Sequence, residues 1–208
     1  MSSKKLPDVS KGPRPLSTEE VRKKSRLFPD GWAEDVLHFW FQELQPRDWF
    51  SSHARLDEKI RERFGDLCAA LRDDPPALER ADVRTMLAAI IVFDQFPRNI
   101  YRGTPAAYAT DSNALALAKS AVANGKDRLL PEKQRHFLYM PFMHSEDRAT
   151  QAESMRLFSE LDPDGMKWAR HHYDVVERFG RFPHRNAILG RQSTPEEQEF
   201  LKNEPSLV

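Results

Sequence analysis

Residues 56 to 76 read LDEKIRERFGDLCAALRDDPP, and the spacing of the apolar residues in this stretch decides the fold class. The apolar positions recur every three or four residues and so fall on one face of an α-helix. They are Leu56, Ile60, Phe64, Leu67 and Leu71. The prolines of DDPP stop this helix, because proline lacks the amide hydrogen that a helix interior needs. The period is that of a helix and not the period of two that a strand requires.

Segments with the same period follow along most of the chain. The predicted helices cover residues 83–96, 114–123, 131–139, 147–161, 166–179 and 195–201, and another carries the apolar residues within 36–44. Nothing alternates like a strand for more than a few residues. We therefore predict an all-α protein of eight or nine helices in antiparallel pairs, arranged as a bundle or as a tetratricopeptide-like stack. The chain has no 34-residue repeat, so a regular tetratricopeptide array is not expected.

Capping residues predict where the first helices begin. Ser17 and Glu20 form a capping box, which predicts a short helix that ends near Phe28. Asp30 is predicted to be the N-cap of the next helix. The segment PRDWFSS, residues 46–52, is predicted to be a loop.

The length of the chain favours one domain. A chain of 208 residues can bury a sizeable core without a disulfide or a structural metal. Residues 1–16 are rich in Lys, Pro and Ser and have little to bury. We predict a disordered tail over 1–16 and a single helical domain over 17–208.

Charge and cysteine content narrow the partners and the location. Lys and Arg together number 32, as do Asp and Glu, so no net field attracts nucleic acid or an anionic membrane. The longest apolar run, MLAAIIVF at residues 86–93, is too short to span a bilayer, and the N-terminus lacks the apolar core of a signal peptide. The one cysteine, Cys68, excludes an internal disulfide and suits a reducing compartment. We predict a cytoplasmic protein that binds neither nucleic acid nor membrane.

One motif is written twice. Residues 96–105 read FPRNIYRGTP and residues 182–195 read FPHRNAILGRQSTP, with His184 inserted in the second copy. Most of the motif has a structural explanation. Its prolines are predicted to end the preceding helices, its glycines to permit a turn that a side chain forbids, and its threonines to cap the following helices. These residues are Pro97 and Pro183, Gly103 and Gly190, and Thr104 and Thr194, with Glu197 completing a capping box in the second copy.

The Arg-Asn pair in each copy is not explained by helix punctuation. On the structural interpretation, Asn99 and Asn186 bond loose carbonyls at helix ends, while Arg98 and Arg185 form ion pairs, for example with Asp94. On the functional interpretation, the two pairs face one another and offer forked donors to an anionic or carbonyl ligand. The sequence leaves both interpretations open.

Histidines and acids concentrate in the second half of the chain. His144 follows an apolar run and precedes Glu146 and Asp147, whose charges suit a helix N-terminus with Ser145 as its predicted N-cap. His144 is either a buried, hydrogen-bonded histidine or a proton carrier near neutral pH. In the helix of residues 166–179, His172 shares a predicted inward face with Trp168, Val175, Val176 and Phe179.

Metal and nucleotide chemistry have little support. Some of His144, Glu146, His172 and His184 could supply metal ligands, but the chain has no His-Glu-x-x-His, paired-cysteine or compact carboxylate motif. It also lacks a glycine-rich nucleotide loop and a Gly-x-Ser-x-Gly elbow. We predict no metal and no cofactor.

Four long polar strings resemble a bacterial family, domain of unknown function 924. The strings cover residues 94–105, 111–117, 137–151 and 178–201, and the resemblance extends over roughly residues 32–201. It implies an all-helical body similar to tetratricopeptide folds. It implies no established activity and no catalytic residue.

Three hypotheses for function follow. The first is a pocket for a small anionic or carbonyl ligand, in which Arg98, Asn99, Arg185, Asn186 and His172 bind the ligand. Proton transfer would involve His144, Glu146, Asp94 and His184. This hypothesis predicts that the two Arg-Asn turns and His144 lie within about 10 Å of one another around a cavity. The second is a tetratricopeptide-like module for a protein or peptide partner, and the third treats the repeated strings as staples of the fold alone.

Overall fold

The computed structural model describes residues 28–50, 53–75 and 77–203, and these are helical and lack strands. The helices in chain order are α1 (Trp32–His38), α2 (Pro46–Trp49), α3 (Ala54–Asp73), α4 (Val83–Ile90), α5 (Phe96–Ile100), α6 (Asp111–Ala123), α7 (Glu132–Met143), α8 (Arg148–Ser159), α9 (Pro163–Phe179) and α10 (Pro195–Asn203). The all-α prediction is confirmed. The predicted tail over 1–16 and the capping box of Ser17 and Glu20 lie outside the described residues.

Two π-helical turns interrupt the regular helices. Phe39–Glu43 continues α1, and Ile91–Gln95 joins α4 to α5. Counting α4, this turn and α5 as one helix gives nine helices over the described ranges, within the predicted number. Short 3-10 turns lie between helices at Leu78–Arg80, Pro105–Tyr108, Lys126–Leu129 and Pro183–Arg185.

The main core lies between α1, α3, α4, α6 and α7. Its centre is aromatic, with ring centroids 5.1 Å apart for Phe39 and Phe64 and 4.9 Å apart for Phe64 and Phe96. Tilted and stacked ring contacts at such distances add to the stabilisation from apolar burial. Trp40 and Phe137 extend the cluster from α1 to α7 at 5.6 Å. The helix face predicted from Leu56 to Leu71 packs against this core, with its centre at Ile60 and Phe64 buried.

A smaller cluster holds the C-terminal segment. Val175 and Val176 of α9 are buried with Phe182, and Phe179 packs 5.0 Å from Phe200 of α10. α8 and α9 are joined by three residues and make the most extensive contact between any two helices in the described residues. They form a helical hairpin, onto which the segment from Phe182 to α10 folds back.

Two predicted N-caps and one predicted loop are wrong. α1 begins after Gly31, whose φ of 83° turns the chain into the helix, so Asp30 is not the flanking residue. α8 is capped by Asp147, whose carboxylate accepts the amide of Thr150 at 2.8 Å; a carboxylate suits the positive end of a helix better than the hydroxyl of Ser145. Residues 46–49 form α2 rather than a loop.

The short helix α2 has a local cause. Gln45 and Asp48 complete a capping box, in which Asp48 accepts the Gln45 amide at 2.8 Å, and Pro46 occupies the first helical position. A proline there costs no hydrogen bond, because the first amide groups of a helix have no partner within the helix. Pro46 therefore starts a helix.

The two motif prolines do not end the preceding helices, contrary to prediction. The chain stays helical from α4 to α5 because the π turn replaces hydrogen bonds between residues four apart with bonds between residues five apart. One of these runs from the amide of Phe96 to the carbonyl of Ile91, and this wider turn accommodates Pro97. α9 ends three residues before Pro183, at Gly180, which has a φ of 69° and donates to Val176 at 2.8 Å.

The other punctuation of the motif is mostly as predicted. Gly103 and Gly190 have positive φ of 75° and 67°. Thr194 and Glu197 form the predicted capping box, with bonds of 2.7 and 3.2 Å. Thr104 instead donates its hydroxyl to the carbonyl of Tyr101 and precedes a 3-10 turn. Within the described residues, no helix combines the length and the apolar character needed to cross a membrane.

Candidate functional site

The π turn between α4 and α5 places a carboxylate inside the protein. Asp94 has no solvent exposure, and its Oδ1 accepts a hydrogen bond of 2.8 Å from Nδ1 of His144. Nη1 of Arg98 lies 3.4 Å from the same oxygen, and the amide of Gln95 donates to Oδ2. Extra width in one helical turn lets Asp94 and Gln95 both be buried, a use of π turns that recurs at functional sites.

Asp94 is held in its charged form. Burial alone would raise the pKa of Asp94, but the positive charge of Arg98 and the hydrogen bonds from His144 and Gln95 outweigh it and lower the pKa well below its usual range. Arg98 is buried beside two carboxylates, and their charges raise its pKa against the effect of desolvation. The pair is therefore ionised near neutral pH.

His144 has one ring nitrogen committed and one free. Because an ionised carboxylate can only accept, Nδ1 of His144 carries the proton that binds Asp94. The other nitrogen, Nε2, then has a lone pair, and no described residue donates to it. Burial lowers the pKa of His144, although the charge of Asp94 opposes this. The ring is thus a neutral proton acceptor near pH 7.

Arg98 and Arg185, one from each copy of the motif, converge on Asp111. Arg98 binds this carboxylate through both terminal nitrogens at 2.8 and 3.0 Å, and Nη1 of Arg185 lies 3.4 Å from it. Nη2 of Arg185 donates to the carbonyl of His144 at 3.1 Å. The ring of Tyr108 covers both guanidinium groups, with its centroid 4.5 Å from Cζ of Arg185 and 5.6 Å from Cζ of Arg98.

Arg185 is less completely paired than Arg98. Its side chain is buried, yet its Nε has no acceptor among the described residues, and its one carboxylate is already bound by Arg98 at shorter distances. Burial, followed by the charge of Arg98, lowers the pKa of Arg185. A buried guanidinium with an unpaired N–H donor costs free energy, and a hydrogen bond to a further acceptor would offset that cost.

These groups border a surface cavity of about 420 Å³. The polar part of its wall includes Tyr108, Asp111, His144, Glu146 and Arg185, together with two serines. Pro105, Leu115 and Leu189 supply apolar wall. A cavity of this size, with polar side chains set beside apolar ones, has the volume of a small-molecule site.

Glu146 lies on the cavity wall but is fully engaged. Its two oxygens accept from Arg191 at 2.7 and 2.8 Å, and one of them also accepts the amide of Phe182 at 2.8 Å. Burial would raise the pKa of Glu146, but the hydrogen bonds from Arg191 and Phe182 lower it. Glu146 therefore ties the segment after α9 to the start of α8.

The two motif asparagines do not line the cavity, and they bond different partners. Asn99 donates to Asp57 of α3 at 2.8 Å, beside a two-pronged bond from Arg102 to the same carboxylate. Asn186 is buried, accepts Nε of Arg191 at 2.9 Å and donates to Glu197 at 3.2 Å. Both asparagines therefore bond side chains of neighbouring elements and not the loose helix-end carbonyls that the structural interpretation predicts.

His172 and His184 lie behind His144 and do not line the cavity. His172 donates from Nδ1 to the Trp168 carbonyl at 2.9 Å, and its ring is 6.2 Å from that of His144. Phe182 lies between His172 and His184, 5.5 and 5.6 Å from their rings. Burial lowers the pKa of both histidines to about 3. Both rings are therefore neutral at pH 7.

The inward face of α9 differs from the predicted one at one position. His172, Val175 and Val176 are buried as predicted, but Trp168 is 51% exposed. Residues 165, 169 and 172 fill the inward stripe near the start of the helix, so Trp168 falls one residue outside it.

The sequence does not predict two residues of the site, Asp111 and Tyr108. Their proximity to the arginines arises from folding and leaves no local signal.

In the described part of the chain, no three histidine, cysteine or acidic side chains are grouped closely enough to hold a metal ion. The acids near His144 are instead paired with arginines.

Comparison with known proteins gives a family and no activity. The model of a family described as bacterial protein of unknown function (DUF924) matches residues 36–205. A solved structure of a protein of unknown function from Agrobacterium tumefaciens is similar, with 40% sequence identity and a TM-score of 0.79, over 83% of this chain and 97% of the other. No curated protein matches the chain significantly. The match over residues 36–205 takes in α2 to α10 and both copies of the repeated motif, so the chain belongs to the bacterial DUF924 family.

Proposed function

We propose that the cavity beside His144 binds a small anionic or carbonyl ligand and that His144 exchanges a proton with it. The observation that carries the proposal is that two residues of one cavity wall have incompletely paired polar groups. One is the buried guanidinium of Arg185, whose Nε lacks an acceptor, and the other is Nε2 of His144.

Arg185 is the anion-binding group in this proposal. Arg185 lies on the cavity wall. Arg98 is instead paired with the carboxylates of Asp94 and Asp111, and it holds Asp111 in place. An oxyanion that approaches Arg185 gains charge-assisted hydrogen bonds and relieves its incomplete pairing. A carbonyl oxygen gains the same donors with a smaller charge contribution.

His144 is the proton acceptor in this proposal, and Asp94 positions it. The bond from Nδ1 to Asp94 fixes the tautomer and turns Nε2 into the basic nitrogen, an arrangement that acid–base catalysts commonly use. Glu146 contributes indirectly, because its ion pair with Arg191 holds the segment that carries Arg185. His172 and His184 lie behind His144 as neutral rings and do not contact the ligand in this proposal.

Binding can be tested with three probes that separate charge from carbonyl character. Acetate carries an anion, acetone a carbonyl, and pyruvate both, and each can be titrated by calorimetry into the folded protein. We expect pyruvate to bind most tightly and Arg185→Gln to weaken pyruvate and acetate about 10-fold or more, the effect of losing one charge-assisted hydrogen bond. Arg178→Gln, an exposed arginine paired with Glu196, is the matched control and should change neither affinity.

The proton-transfer part has a separate readout. With pyruvate bound, abstraction of a methyl proton by Nε2 of His144 gives an enolate, and exchange with heavy water is visible by NMR as loss of the methyl signal. We expect His144→Gln to abolish exchange above the buffer rate while circular dichroism stays unchanged. Equal affinities for wild type and Arg185→Gln would refute the binding site, and exchange that survives in His144→Gln would refute the proton acceptor.

The sequence-based alternative, a tetratricopeptide-like module for a peptide partner, stays a prediction. Its support is that this protein has a helical hairpin, α8 and α9, and that tetratricopeptide folds are built from such hairpins. It predicts that none of the three probes binds.

We further propose that the protein acts in the cytoplasm, because its one cysteine, Cys68, is buried and unpaired.

A further inference from the structure

A second cavity lies between the Lys126–Leu129 turn, α7 and α8 and shares no lining residue with the first. Its volume is about 320 Å³. One side of it is apolar, formed by Val122, Leu157 and Leu161, and the other carries arginines and acids. None of the sequence motifs considered above falls on its charged wall.

The acids of this cavity are already occupied. Asp127 is buried and accepts a hydrogen bond of 2.5 Å from the hydroxyl of Tyr139. Burial and this bond raise the pKa of Tyr139, so the hydroxyl stays protonated and keeps donating. Glu160 accepts from Arg156 at 3.0 Å, and Arg156 is also held by both oxygens of Glu153.

Two arginines of the same wall are not paired. Arg128 and Arg135 have no carboxylate within ion-pair distance and make no side-chain hydrogen bond to any part of the chain that the structure describes. Nε of Arg135 is inaccessible to bulk water and still lacks a protein acceptor. A buried donor of this kind is costly unless a partner satisfies it.

We propose that this second cavity binds a small organic oxyanion, a short-chain phosphate monoester or carboxylate. Its oxygens bind Arg128 and Arg135, and its apolar chain lies against Val122, Leu157 and Leu161. The planar guanidinium fork matches the oxygens of either head group. Glu160 is paired with Arg156, and although Asp127 keeps its negative charge, Arg128 and Arg135 outweigh it and leave this wall with a net positive charge.

The experiment observes the Nε–H group of Arg135 itself. In a proton–nitrogen NMR spectrum of the arginine side chains of the full chain, this protected group should give a sharp signal, which Arg135→Lys assigns by removing it. Butyl phosphate, butyrate and inorganic phosphate are titrated in turn, with butanol as the uncharged analogue. We expect a saturable shift of this signal with butyl phosphate and butyrate, a weaker one with inorganic phosphate, and none with butanol.

Matched variants separate this site from the first cavity. Arg128→Gln should weaken butyl phosphate about 10-fold or more, the loss of one charge-assisted bond, while Arg185→Gln in the first cavity leaves the titration unchanged. An Arg135 signal that does not move with any anion, or that moves equally with butanol, overturns the proposal. If Arg128→Gln leaves the affinity unaltered while the protein remains folded, the assignment of the head-group site is wrong.

Discussion

A single carboxylate, Asp94, organises the first cavity. Its contact with Arg98 could be predicted, because residues four apart share a helix face. Its hydrogen bond to His144 spans 50 positions of the chain and depends on how α7 packs against α4. The sequence therefore indicated the residue types of this site, while the pairings among them required the folded structure.

Asp94→Asn should destabilise the protein markedly. The change removes one charge from a buried group of Arg98, Asp111 and Asp94, and leaving a buried charge without full compensation costs about 3 kcal/mol. Unfolding in urea measures the loss. Asp73→Asn, which breaks the exposed pair of Asp73 with Arg72, is the control and should leave the midpoint unchanged. Equal midpoints for the two variants would show that Asp94 has no special role.

The motif asparagines show how far a repeated string can mislead. Asn99 lies within a helix and turns toward Asp57, whereas Asn186 follows a 3-10 turn and is enclosed by Arg191 and Glu197. The insertion of His184 changes the backbone of the second copy, so the same residue type meets different neighbours. Arg98 and Arg185 still meet at Asp111, because their long side chains span the difference.

The helices themselves were largely predictable, and their ends were less so. Apolar spacing is a local signal and located the main helices within a few residues, including the one from Ala54 to Asp73. The π turn at Ile91–Gln95 was not predictable, because it has no distinctive sequence pattern and depends on tertiary packing. For the same reason the prediction that Pro97 ends a helix is wrong.

Gly180 ends α9, and its replacement tests this directly. A Cβ at Gly180 would meet no atom within 4 Å, so Gly180→Ala costs only the strain of a left-handed backbone at φ 69°, about 1 kcal/mol. Gly65 lies inside α3 with ordinary helical geometry and an open site for Cβ, so Gly65→Ala should stabilise the protein by about 0.5–1 kcal/mol. Thermal unfolding compares the two. Shifts of the same sign would contradict the assignment of Gly180 as the helix-terminating residue.

Across the whole molecule, opposite charges are equal in number but the histidines are not evenly distributed. Five of the seven follow residue 130, and three of these, His144, His172 and His184, form a cluster with Phe182 in which His172 is buried and the other two rings are partly buried. Composition predicts a protein without a strong net field, and it says nothing about burial. The burial of these rings links the stability of the entire fold to pH.

The stability of the folded protein should fall as the pH falls from 7 toward 5, because of these histidines. The folded state holds His172 and His184 neutral, with the pKa of each lowered to about 3, while the unfolded chain protonates them below about pH 6.5. The unfolded state then binds more protons, and each histidine lowers the free energy of unfolding by up to about 1.4 kcal/mol per pH unit. Urea unfolding at pH 7, 6 and 5 measures this slope. His172→Gln should reduce the slope by one histidine's share, and His38→Gln, an exposed histidine of α1, should leave it intact. A His172→Gln variant with the full wild-type slope would mean that His172 is protonated in the folded state, and the neutral cluster behind His144 would have to be abandoned.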